Sequence, residues 1–205
     1  APRGGANLLS CRGLFLLFDK LLKLWERRGS QGLRRRAVQE AERWILDRTR
    51  CSDGLGAIHA PMMYTIMALD VLGYPRSHPD FLEAESRFRR LLVDDGRGFF
   101  FQPCFTLVRD TAIAAYALSE TGGELAGALG RAADWLLSRE VRRKGDWSVK
   151  RPDLEPSGWC LEFANEFYPD IDDTAMALLA LQRAARGEPA RARDAMDRAL
   201  RWLVG

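Results

Sequence analysis

Asp110-Thr111-Ala112-Ile113-Ala114-Ala115-Tyr116-Ala117-Leu118 recurs, with its small residues in register, as Asp173-Thr174-Ala175-Met176-Ala177-Leu178-Leu179-Ala180-Leu181. Each copy opens on Asp-Thr-Ala and continues as a small-residue helix. Met67-Ala68-Leu69 is a weaker third copy. Between the copies lie helices of a second kind, charged and ending in a Trp-aliphatic pair: Trp44-Ile45-Leu46, Trp135-Leu136-Leu137 and Trp202-Leu203-Val204. Ala-rich helices pack closely and suit an inner ring, whereas charged amphipathic helices suit an outer one. The alternation predicts an all-α fold: an α/α barrel (toroid) of alternating inner and outer helices, incomplete in this chain. A tetratricopeptide-like solenoid is the competing architecture, but the copies here are too far apart for it.

Working outward, helical periodicity predicts helices at about 12–28, 34–49, 60–73, 80–93, 110–121, 125–140, 172–186 and 190–204, with no continuous strand-like alternation. Breaks fall at Ser52-Asp53-Gly54, Gly73-Tyr74-Pro75, Asp95-Gly96-Arg97-Gly98, Thr121-Gly122-Gly123 and Arg186-Gly187-Glu188-Pro189. The 205 residues are 47% hydrophobic and 29% charged, a globular composition. Basic and acidic residues nearly balance, 31 against 28, which argues against a nucleic-acid-binding surface. Cys11, Cys51, Cys104 and Cys160 are widely spaced, and His59 and His78 add no ligand spacing, so neither a disulfide scaffold nor a zinc site is signalled.

The chemistry-bearing segment is Tyr168-Pro169-Asp170-Ile171-Asp172-Asp173-Thr174-Ala175, three carboxylates within four residues directly before an apolar helix. Three readings stand open. Aspartates at a helix N-terminus cap it and complement its dipole. Like charges at close range raise at least one pKa, and a carboxylic acid held neutral beside an apolar cavity can protonate an alkene. Asp-x-Asp-Asp also resembles a magnesium-binding cluster. Trp147, Trp159, Phe163, Phe167 and Tyr168 precede the motif, with Phe99 to Phe101 and Phe105 further upstream. Such aromatics are core residues in most proteins, and their faces also stabilise cations without offering a nucleophile.

Lys144-Gly145-Asp146-Trp147-Ser148-Val149-Lys150-Arg151-Pro152, then Ser157-Gly158-Trp159, then the run from Phe163 to Ala175 together resemble the squalene–hopene cyclases. Asp53-Gly54-Leu55-Gly56-Ala57-Ile58, Gln102-Pro103-Cys104-Phe105 and Asp110-Thr111-Ala112 extend the resemblance over nearly the whole chain. Degenerate copies of the family's Gln-Trp repeat stand at Trp135-Leu136 through Gly145-Asp146-Trp147 and at Trp44-Ile45 through Gly54-Leu55. A third begins at Ala199-Leu200-Arg201-Trp202-Leu203, and the reading is therefore of an internal fragment that would not cyclise anything alone.

The resemblance implies proton-initiated carbocationic cyclisation of squalene to hopene or hopanol. Asp172 would be the proton donor, Asp170 and Asp173 would tune it, and no metal or organic cofactor would be required. It places Ile58, His59, Arg109, Trp159, Leu161 and Phe163 against substrate. Three of these depart from the family pattern: Arg109 stands where a cavity Trp is usual, and Leu161 replaces an aromatic. His59 also stands where Tyr or Gln is usual. An arginine in a carbocation cavity would repel the intermediate and be costly to desolvate. Another class II terpene cyclase, or a non-catalytic toroid, are the competing functions.

The resemblance divides the chain at 1–100, the end of one α/α-barrel domain, and 101–205, the start of a second carrying the acid motif. Leu14-Phe15-Leu16-Leu17-Phe18, Leu21-Leu22, Leu24 and Trp25 form an apolar helix with a basic flank. It reads either as a buried barrel helix or as an interfacial one, being too short to span a bilayer. The family is monotopic, so the expected partners are squalene and a membrane surface, on the cytoplasmic side of a bacterial inner membrane. A homodimer is an assembly this reading admits.

Overall fold

The computed structural model describes residues 11–121, 125–184 and 189–205, which divide between Trp44 and Ile45 into two compact units. Eight α-helices account for most of the described chain: α1 (Cys11–Arg28), α2 (Gln31–Arg50), α3 (His59–Val71), α4 (Pro79–Arg89), α5 (Leu107–Glu120), α6 (Ala126–Leu137), α7 (Ile171–Ala184) and α8 (Pro189–Val204). In the smaller unit, α1 carries exposed Leu14, Phe15, Phe18, Leu21 and Trp25. Ser30 starts α2, its Oγ accepting from the Leu33 N–H at 3.4 Å.

The larger unit is organised by the two Asp-Thr-Ala copies. They become α5 and α7, and these two helices pack against each other more extensively than any other pair among the described residues. Ala112 and Ala115 of α5 and Ala177, Ala180 and Ala184 of α7 are buried at this seam, where the absence of longer side chains allows close approach. α6 and α8 form a second layer: α6 packs on both α5 and α7, and α8 lays Ala192, Ala195 and Ala199 into the same core. Inner and outer helices therefore alternate as the sequence pattern requires.

The outer layer is stitched by one buried acid. Glu140, just past α6, receives Nε and Nη2 of Arg198 from α8 at 3.0 and 2.7 Å, and the Ser157 hydroxyl at 2.8 Å. Burial works against its charge, but these donors together with Arg142 outweigh burial and hold Glu140 below the usual carboxylate range. Indole Nε1 of Trp159 donates to the Leu136 carbonyl at 2.7 Å, tying the end of α6 to the loop that follows it.

One expected helix is cut short. Residues 80–93 were read as a single helix, but α4 ends at Arg89 and the chain turns into a two-stranded antiparallel hairpin, β1 (Leu92–Asp94) with β2 (Phe99–Phe101). Asp94 and Asp95 build the hairpin turn that takes the place of the helix's last residues. Their carboxylates accept from the N–H groups of Gly96 (2.9 Å), Arg97 (3.0 Å) and Gly98 (3.1 Å), offering the backbone an alternative to helix. Gly96, at φ +78°, completes the turn.

Gly158 is the tightest point of the inner layer. It sits at φ +106°, and a Cβ there would lie 2.8 Å from Oγ1 of Thr174. That hydroxyl accepts from the Trp159 N–H at 2.9 Å, so the glycine lets the loop press onto the first turn of α7. Gly158→Ala is expected to lower unfolding free energy by about 1–3 kcal/mol. Gly130→Ala, inside α6 with open space at its Cβ, should raise it by about 0.5–1 kcal/mol. Urea denaturation of the two variants checks both signs.

Candidate active site

α7 begins where the three aspartates stand, and each has a different environment. Asp170 is the cap: its Oδ1 accepts from the Asp173 N–H at 2.8 Å and its carbonyl from the Thr174 N–H at 3.1 Å. Its own N–H donates to the Trp159 carbonyl at 3.0 Å, fixing the acid loop to the buried indole. Asp172, one residue into the helix, is exposed. Asp173 turns inward and is 1% exposed.

The buried Asp173 meets Arg109. Nε of Arg109, on the first turn of α5, donates to Oδ1 of Asp173, while Oδ2 is buried without a hydrogen-bond partner. Burial pushes the Asp173 carboxyl up, proton sharing with Asp170 pushes it further, and Arg109 opposes both. The guanidinium in turn is stabilised in its charged form, first by Asp173 and more weakly by Asp170 and Asp172. Arg109, Asp170, Ile171 and Asp172 line one groove of about 700 Å³ together with Trp147 and Trp202. The two indoles meet edge to face, 5.8 Å between ring centres.

The approach to the motif is braced separately. Tyr168 donates its hydroxyl to Oδ2 of Asp146 at 2.7 Å, and Arg48 pairs with the other oxygen of the same carboxylate. Two guanidinium groups lie over the Phe167 ring, Arg48 at 4.8 Å and Arg143 at 4.7 Å from its centre. Gly145 makes this possible, since a Cβ there would fall 2.0 Å from the Phe167 carbonyl oxygen.

The other residues expected against substrate fall elsewhere. Trp159 is fully buried, its indole N–H committed to Leu136, and it belongs to the core under the acid loop rather than to the groove wall. Phe163 stacks near Trp135 and lies under Arg139, 4.3 Å from its ring centre, in a different pocket of about 360 Å³. Leu161 is half-buried in the loop between them. Ile58 pairs with Cys104 by a backbone bridge, and the His59 ring packs on Phe88 and Phe101. Among the described residues no cluster of His, Cys, Asp and Glu has the form of a metal site.

Two groups of consequence were not singled out from the sequence. One is the pairing of Arg109 with Asp173. The repeat register held the signal, because Arg109-Asp110-Thr111 and Asp172-Asp173-Thr174 occupy equivalent positions on neighbouring helices. The other is Glu162, 3% exposed, which accepts from Nδ2 of Asn165 at 2.5 Å. No sequence pattern marks a single buried glutamate.

Comparison with known proteins aligns with this geometry. The family model of the squalene-hopene cyclase N-terminal domain matches residues 2–97, and that of the C-terminal domain matches residues 105–205. The chain is 35% identical over 204 residues to a squalene–hopene cyclase of Zymomonas mobilis, covering 95% of this chain and 31% of that protein. It is 38% identical over 197 residues to one of Bradyrhizobium diazoefficiens, covering 93% and 30%. A sporulenol synthase of Bacillus subtilis is 32% identical over 168 residues, covering 82% and 26%. The chain thus spans about a third of the length of the curated relatives it matches.

Burial lifts the Glu162 carboxyl to about 7 against the donation from Asn165, and it lifts Asp173 as well. Both groups bind protons more tightly folded than unfolded. Their contribution to stability is therefore full below the unfolded carboxylate range and is lost as pH rises from about 4.5 toward about 7. The melting temperature should fall across that window, and Glu162→Gln should flatten the slope in part. Calorimetric scans of both proteins at stepped pH check it; an unchanged slope would show that Glu162 does not titrate there.

Proposed function

Because the chain belongs to the squalene–hopene cyclase family, we propose that the protein it comes from protonates squalene and cyclises it through carbocations to hopene or hopanol. The observation that carries this reading is the acid cluster at the start of α7. One carboxylate, Asp172, faces a groove with aromatic walls, and a second, Asp173, is buried beside it with its proton affinity raised. Alkene protonation needs a strong acid presented to an apolar substrate, with surroundings that do not trap the cation. Asp172 is the proton donor in this reading. Asp170 fixes the helix start, and Asp173 sets the charge behind the donor. Trp147 and Trp202 offer faces that stabilise positive charge without attacking it. The cascade ends by proton loss or capture of water and calls for no organic cofactor.

The domain reading follows: residues 1–100 close one α/α barrel and 101–205 open the second, with the acid motif in the latter. α1 is the membrane-facing element. No described helix is long and apolar enough to cross a bilayer. A helix with Leu14, Phe15, Phe18 and Trp25 exposed instead suits insertion into the headgroup boundary, monotopic on the cytoplasmic side of a bacterial inner membrane. That placement delivers squalene directly from the lipid. A homodimer would set two such helices on the same surface and strengthen their hold.

Two experiments test these readings. The complete protein supplied with squalene in detergent should yield pentacyclic product, and Asp172→Asn should reduce turnover by about 10²-fold or more. Turnover of another polyprene and not squalene would move the assignment to a different class II cyclase. For α1, co-sedimentation of the complete protein with anionic phospholipid vesicles should drop several-fold on replacing Phe15 and Phe18 by Ser; unchanged binding would remove α1 from the membrane contact.

A further inference from the structure

We propose that the pocket of about 360 Å³ past the end of α6 binds a phosphate-bearing anion, a diphosphate in preference to a single phosphate, between the guanidinium groups of Arg139 and Arg143. The site is separate from the acid groove and does not depend on the cyclase reading.

Two arginines of the pocket wall are each stacked on a phenylalanine, with one spacing. Arg139 and Arg143 stand four residues apart, as do Phe163 and Phe167. Arg139 lies 4.3 Å from the centre of the Phe163 ring and Arg143 4.7 Å from that of Phe167. Trp135 adds a second ring to Arg139 at 5.5 Å. Phe163, expected against substrate, thus supports a cation instead. A planar guanidinium fixed on a ring loses little freedom on binding, and its fork of N–H groups matches phosphate oxygens two at a time. Arg139 has no acid partner among the described residues, and its Nε is buried without a hydrogen bond. Arg143 has only Glu166, 3.6 Å away and like itself exposed, a pair that contributes little in water.

The other groups of the wall leave the positive charge uncancelled. Glu140 is already answered by Arg198, Ser157 and Arg142. Asn165 is committed to Glu162 and to the Phe167 N–H. The Cys160 thiol, which burial pushes up to about 12, carries no charge. Carbonyls at the end of a helix repel anions, but those of α6 are taken. Trp135 accepts from the Ser138 hydroxyl at 2.6 Å, and Leu136 from the Trp159 indole at 2.7 Å. Two guanidinium groups on one cavity offer a partner to each half of a diphosphate.

The test is calorimetric titration of the complete protein with pyrophosphate and with inorganic phosphate, in metal-free buffer of low ionic strength. Saturable binding is expected, tighter for pyrophosphate. Arg139→Gln should weaken it by about tenfold or more, through loss of a charge-assisted hydrogen bond. Glu166→Gln, an exposed change that removes the competing acid, should tighten it by about twofold to fivefold. Competition from vesicles of phosphatidic acid would assign the site to a lipid headgroup, and its absence to a soluble phosphate ester. No saturable binding, or an affinity that neither substitution moves, overturns the proposal. If Arg139→Gln does not fold, unchanged or weaker binding in Glu166→Gln overturns it alone. No squalene enters the measurement, so failure here and failure of the cyclase reading are told apart.

Discussion

The alanine seam between α5 and α7 is the constraint from which the rest of the larger unit follows. Ala112, Ala115, Ala177 and Ala180 are each at most 2% exposed in the core the two helices share, and side chains this small let them lie close. Close approach has a consequence at one end. The first turns of both helices come together, each with unsatisfied N–H groups and the positive end of its dipole. Acids gather there because helix N-termini favour negative charge, and the loop over them must be tight enough to seal the joint. Gly158 and the contact of Thr174 with Trp159 provide that seal.

Sealing the joint is what makes one of the aspartates unusual. At an exposed helix start, the equivalent Asp110 remains in solvent and binds the Thr106 hydroxyl at 2.6 Å. α5 starts at Leu107, so Asp110 falls at the end of its first turn; α7 starts at Ile171, so Asp173 falls one position earlier and points into the seam. Equivalent positions of the repeat thus hold an ordinary surface acid on α5 and a buried one on α7. The buried acid costs free energy unless paired, and the neighbouring helix supplies the pairing cation.

Much of this was legible in the sequence, and the failures have physical causes. The helix order and alternation of layers follow from the Asp-Thr-Ala copies and the terminal Trp-aliphatic pairs, because packing demands that period. The β1–β2 hairpin was invisible to periodicity: three residues per strand are too few to alternate, and its stop signal lies in two aspartates that bind backbone. The acid motif could be found by spacing, yet its division of labour could not. Capping, exposure and burial at Asp170, Asp172 and Asp173 depend on which way a single turn of helix faces. Trp159 shows the same limit in reverse, since an aromatic beside a functional motif reads alike whether it lines a groove or supports it.

Arg109 brings these points together. On the proposed cyclase reading, an arginine in place of a cavity aromatic is an electrostatic fault, a cation where the carbocation would pass. In the folded chain its partner is Asp173, a buried carboxyl on the neighbouring helix whose proton affinity burial raises and Arg109 opposes. On that reading a Trp at this position would offer a π face to the substrate and leave Oδ1 of Asp173 without its guanidinium partner. An arginine gives up the π face and takes charge of the carboxylate. The chemistry of the cluster is then set as much by α5 as by the three aspartates on α7.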